Sequence, residues 1–138
     1  MITGKDADLS GVTPYQKWLA SEGMPVIRDY YIEDIRQVAL EPWERMGGRG
    51  VYLNLIGTDE SNDAYICEIP VGGELKPQRH VYEEMLFILS GRGSTSVWVD
   101  PKKKNSFEWQ AGSLFAIPLN CHYQHFNGSG TEPARYLS

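Results

Sequence analysis

The sequence is short of the residues that most directly advertise chemistry, with three histidines and two cysteines in 138 residues. Cys67 and Cys121 stand far apart, which excludes a dense disulfide framework and paired-cysteine metal spacing and makes a reduced, cytoplasmic setting the expectation. No apolar run approaches the roughly 20 residues that a membrane-spanning helix needs, and Met1 to Asp6 lack the apolar stretch of a signal peptide. Basic residues are not in excess either: 13 Lys and Arg stand against 18 Asp and Glu, for a formal net charge of -5. They are scattered except for Lys102-Lys103-Lys104, so no electropositive face suits a phosphate backbone, and neither nucleic acid nor a membrane is an expected partner. That lysine run sits between Asp100-Pro101 and Asn105-Ser106 and reads as a solvated loop tip.

What is present is a composition suited to one core, with 41% hydrophobic and 12% aromatic residues in a length that fits one domain. Thr13-Pro14 is a good helix start, a hydroxyl cap followed by a first-turn proline, and the helix it opens ends near Gly23. Tyr15, Trp18 and Leu19 fall at i, i+3 and i+4 and form one apolar face. Residues 1-35 are therefore read as an N-terminal arm with a short helix, and 36-138 as an all-β domain. Short runs rich in Val, Ile, Tyr, Phe and Trp, punctuated by Gly, Pro, Asn and Asp, place strands near 36-40, 50-56, 64-70, 76-80, 84-90, 94-99, 106-109, 113-117, 122-127 and 133-137. So many short strands favour a sandwich or a closed barrel, because closure removes exposed edges. Trp43, Trp98 and Trp109 are read as core or interface anchors.

The chemistry-bearing residues lie in the second half. On one straight strand His80 and Glu84 would be about 13 Å apart at roughly 3.3 Å per residue. If Val81-Tyr82-Glu83 turns the chain, both side chains can reach one ion. By two-residue alternation Gln78 shares the face of His80, and Tyr123, His125 and Asn127 share a face on a later strand. A one-residue slip would bring His122 inward instead.

These residues resemble the two sequence motifs of the cupin superfamily, in the correct order and spacing. Gly72, Gln78, His80, Glu84 and Gly91 occupy the places of the first motif, and Gly112, Pro118, Asn120, Tyr123 and Asn127 those of the second. The resemblance implies a double-stranded β-helix, the cupin jelly-roll barrel, preceded here by the short helix. It also implies a metal held by three histidines and a glutamate, of which this chain keeps two. Gln78 and Tyr123 replace histidines, and Asn120 replaces a turn glycine, where asparagine can still adopt positive φ. An N-terminal extension in related cupins adds a strand or crosses to a second subunit, so a homodimer is expected.

The leading expectation is a metal-dependent enzyme acting on a small organic molecule inside the barrel, of dioxygenase, decarboxylase, lyase or isomerase type. His80, Glu84 and His125 would hold a divalent Fe, Mn, Ni or Zn ion, with Gln78 and Tyr123 as further ligands. Tyr123 and His125 are the candidate catalytic groups, and Gln78, Arg79 and Asn127 the candidate substrate contacts. Two alternatives stand beside it: a metal-free binding or sensor module, and a metal-free isomerase or epimerase in which His80 or His125 is the base and Tyr123 the acid.

Overall fold

A computed structural model describes residues 13-58 and 62-138, so the first twelve residues of the expected arm lie outside the described residues. Helix α1, Pro14–Glu22, begins on a reciprocal cap: Gln16 N donates to Thr13 Oγ1 at 3.2 Å and Thr13 N donates to Gln16 Oε1 at 2.9 Å. Gly23, with φ of 65°, ends it.

Eleven strands follow among the described residues. They are β1 (Val26–Ile27), β2 (Glu41–Trp43), β3 (Gly48–Leu53), β4 (Ala64–Ile69), β5 (Gln78–Arg79), β6 (Glu84–Ser90), β7 (Arg92–Trp98), β8 (Asn105–Gln110), β9 (Leu114–Ile117), β10 (His122–Asn127) and β11 (Ala134–Leu137). One sheet runs β1-β3-β4-β11-β6-β9 with β2 also paired to β3, and the other runs β5-β10-β7-β8. Every pairing is antiparallel except that of β1 with β3. The result is a jelly-roll β-barrel. Its main core joins the inner faces of both sheets, with Cys67, Ile69, Leu86 and Tyr136 from the first meeting Trp109 and Tyr123 from the second.

Strand alternation decides which side chains face inward. On β6, Glu84, Leu86 and Ile88 are buried while Met85 and Phe87 are exposed. On β10, Tyr123 and His125 are buried and His122 stacks on Trp98 across the ladder, 5.6 Å between rings, so it is His125 that faces inward. All three tryptophans read as anchors are buried.

The expected strand at 36-40 is not formed. This segment belongs to a strap, with Ile27, Ile32, Ile35 and Val38 packed on the outer face of the larger sheet against Leu40, Val51, Leu53 and Ile66. Its carbonyls find side-chain donors instead of a ladder: Arg135 Nη1 donates to Arg36 O at 2.6 Å and to Val38 O at 3.1 Å, and Arg49 Nη2 to Leu40 O at 2.7 Å. Covering that face gives an otherwise wet sheet a second apolar layer, worth roughly 1.5–3 kcal/mol for each side chain it fully buries.

Candidate functional site

The connection between β5 and β6 is the local event that builds the site. Val81, Tyr82 and Glu83 turn the chain, and His80 and Glu84 come face to face, with His80 Nε2 2.7 Å from Glu84 Oε2. His80 Nδ1 lies 2.7 Å from the carbonyl of Tyr82, and the Tyr82 ring stacks on the imidazole at 4.0 Å with planes 2° apart. A carbonyl only accepts, so Nδ1 carries a proton. The carboxylate at the other nitrogen also accepts. His80 is therefore held as an imidazolium with a fixed acceptor at each N–H.

Glu84 starts β6 pointing inward and collects donors from several strands. Tyr65 of β4 donates to Oε1, and Tyr123 of β10 donates to Oε2 at 3.2 Å. Burial works against the carboxylate's charge, but hydrogen bonds from His80, Ser138 and Tyr65 outweigh it and hold the carboxyl below its ordinary range. Burial likewise opposes the charge on His80, and there the Glu84 hydrogen bond and charge prevail, raising it above 6.5. Burial and the charge of Glu84 push the Tyr123 phenol far up, so it stays protonated and can only donate to the carboxylate.

This network opens on a cavity of about 680 Å³. Its walls come from α1 through Tyr15 and Trp18, from β3 and β4 through Tyr52 and Tyr65, and from the turn through Tyr82; Arg45, Asp63, His80, Glu84 and Tyr123 supply its polar surface. Arg45 is clasped there: its Nε meets Glu22 of α1, its Nη1 donates to Gln78 Oε1 at 2.7 Å, and it lies over the rings of Trp18 and Trp43 at 5.5 and 5.2 Å.

Several residues singled out in the sequence are placed elsewhere. Gln78 does not turn toward His80; it grips Arg45, returning a bond from Nε2 to the Arg45 carbonyl at 3.1 Å. Arg79 is exposed and bound to the turn, donating to Asn120 O at 3.2 Å and Asn120 Oδ1 at 2.9 Å. Asn127 ties down loops, its Nδ2 reaching Pro70 O at 3.1 Å and Glu132 O at 2.8 Å and its Oδ1 accepting from Ser129 N. His125 lies on the inward face but is fully buried and does not line the cavity; its Nδ1 is 2.7 Å from Thr95 Oγ1, which in turn accepts from Trp109 Nε1 at 2.9 Å. Burial drives its pKa down to about 4, so it is neutral, and its Nε2 has no hydrogen-bond partner among the described residues.

Among the described residues no group of three or more His, Cys, Asp or Glu is placed to hold a metal ion. Catalytic transition-metal sites rest on three protein ligands. Here His80 and Glu84 alone fall a ligand short, because the Tyr123 phenol stays protonated, His125 is spent on Thr95 and Gln78 on Arg45. The donor set does not fit the expected ion.

Sequence reasoning missed Tyr65, Arg45 and Glu22. The alternation of Tyr65 with the inward Cys67 and Ile69 on β4 was the available signal for the first. Arg45 and Glu22 carry no local signal, because only the docking of α1 brings them together.

The family model described as a cupin domain matches residues 65–138, more than half of the chain, including β4 from Tyr65 onward and the whole of β6 and β10. The chain is a cupin. Solved structures share the fold. An oxalate decarboxylase of Lactobacillus farciminis, in complex with formate, matches at 21% identity with a TM-score of 0.59, over 75% of this chain and 30% of that one. Oxalate decarboxylase of Bacillus subtilis matches at 21% and 0.59, over 70% and 26%. Drosophila melanogaster CENP-C bound to CAL1 matches at 11% and 0.62, over 77% of this cupin and 82% of that chain. The chain thus spans less than a third of the decarboxylases it resembles, and the likeness is one of fold. No curated protein matches it by sequence. No helix among the described residues is long and apolar enough to cross a membrane.

Proposed function

We propose that this cupin binds a small organic molecule in the cavity beside His80 and carries out proton transfer on it without a metal ion. The carrying observation is that His80 has an acceptor at both ring nitrogens while facing a cavity of about 680 Å³, a size suited to a small ligand. The proton between His80 Nε2 and Glu84 is the one the site can give. Donated to one atom of the ligand and recovered at the same nitrogen from another, it accomplishes an isomerisation with no net change in protons. Glu84 stabilises the imidazolium each time it reforms, and Tyr65 and Tyr123 hold the carboxylate in place. Tyr82, stacked on the ring, fixes its plane.

A second reading is supported by the structural likeness to Bacillus subtilis oxalate decarboxylase, whose Mn(II) centres have been studied: a divalent ion that would displace the protons of His80 and Tyr123 and complete with Glu84 a ligand set that the protonated site does not offer. One experiment separates the two. Protein purified without chelator is analysed for transition metals, then screened for thermal stabilisation by small molecules before and after exhaustive chelation. Sub-stoichiometric metal with stabilisation unchanged by chelation supports proton chemistry. Stoichiometric metal, lost together with the stabilisation, overturns it in favour of the ion.

A further inference from the structure

The charges around the cavity are unevenly settled. Each cation already has its own carboxylate: Arg45 is paired with Glu22, and His80 with Glu84. Asp63, in the wall beside Tyr15, has no such partner among the described residues. Its neighbours are neutral. With its amide oriented to suit both groups, Asn54 donates to Asp63 Oδ1 at 2.7 Å, and the neighbouring Tyr15 hydroxyl has no hydrogen-bond partner among the described residues. The charge of Asp63 reaches across the cavity to Tyr82 as well as Tyr15. Its side chain is exposed in the cavity wall, and among the described residues no cation pairs with it.

The rest of the wall is electron-rich. Tyr15, Trp18, Tyr52, Tyr65, Tyr82 and Tyr123 all line it, and aromatic surfaces attract positive charge. An anionic ligand would meet the unbalanced carboxylate and find both cations taken. A cation would find its counter-charge waiting.

We propose that the ligand of this cavity is a compact organic cation, an ammonium or similar group on a flat apolar body, with its charge set between Asp63 and the tyrosine rings. This rests on the reading of the cavity as the ligand site and adds the class of molecule it takes. Asp63, Tyr15 and Trp18 lie outside the stretch matched by the cupin family model, so the selectivity is a property of this chain's own N-terminal half.

Three benzyl compounds of three charges test it by calorimetry on the full chain: benzyltrimethylammonium, benzyl alcohol and phenylacetate. Benzyltrimethylammonium should bind about tenfold more tightly than the alcohol, as expected for one ion contact plus ring contacts, and phenylacetate should not bind measurably. Asp63→Asn should bring cation and alcohol to within about twofold of each other. If that variant does not fold, the wild-type protein carries the same test through added salt, which should weaken the cation and leave the alcohol unchanged. Phenylacetate binding as well as the cation, a cation preference that survives Asp63→Asn or high salt, or no binding of any probe overturns the proposal. None of these outcomes touches the protonation of His80 or the metal content, on which the proton-transfer reading stands separately.

Discussion

Glu84 Oε2 and His80 Nε2 are 2.7 Å apart although only four positions separate them in a β-protein, because the chain turns at Val81-Tyr82-Glu83 and brings the end of β5 onto the start of β6. The contact couples two titrations in opposite directions. His80 is raised, so its contribution to stability is complete below its unfolded pKa and fades as pH climbs through the folded value. Glu84 is lowered, so its contribution is complete above its unfolded pKa and fades as pH falls through the folded value. The pair is strongest in the window between those two folded pKa values. Glu84→Gln should cost about 1.5–3 kcal/mol in that window by urea denaturation, the range for a charged hydrogen bond, and much less at alkaline pH where His80 is neutral.

His125 gives a dependence opposite to that of His80. Buried and held to a pKa of about 4, it gains a proton on unfolding once the pH is below about 6.5, so stability falls as pH drops from there towards 4. The difference amounts to about 3 kcal/mol. His125→Phe, which keeps a ring among Phe115, Tyr123 and Tyr136, should flatten that part of the stability-pH curve. An unchanged slope in chemical denaturation between pH 6.5 and 4 would place the titration on another group.

Thr95 passes one hydrogen bond from Trp109 to His125 in the barrel interior. Thr95→Val matches its shape but strands two buried polar atoms, at about 1–3 kcal/mol each. Thermal denaturation should show a loss larger than that of any exposed Thr→Val change, with the Trp109 fluorescence altered in the folded state.

Gly93 of β7 sits where β10 approaches closely: a Cβ there would lie 2.0 Å from Phe126 O and 2.5 Å from the ring of Trp109. Gly93→Ala should destabilise by about 1–3 kcal/mol, the cost of overpacking, and denaturation midpoints against the wild type measure it.

Much of this was legible beforehand, and the reasons are local. Gly72, Gly91, Gly112 and Asn120 all adopt positive φ, so the turns of both motifs could be read from residue type. The pairing of His80 with Glu84 followed from spacing, once a turn was assumed. What escaped depends on long-range register. Gln78 faces a partner 33 residues away, Arg45, whose position is set by α1 docking on β3. His125 lies on the inward face as alternation requires, but alternation fixes only the side of a strand, and Thr95 on the neighbouring strand claims its nitrogen. Alternation puts Asn127 on the inward face, but it ends β10 where Ile69, Pro70 and Glu132 expose carbonyls to its amide. The segment at 36-40 alternates like a strand because it packs one side on a sheet, which a strap does as well as a strand.

The most direct test is the protonation state of His80, read from the ¹⁵N shifts of its imidazole by NMR at neutral pH in the presence of a chelator. Both ring nitrogens should be protonated, with a midpoint above 6.5 that drops on Glu84→Gln. A His80 ring carrying one proton at neutral pH, or one whose signal depends on a bound metal ion, would contradict the proton-transfer site.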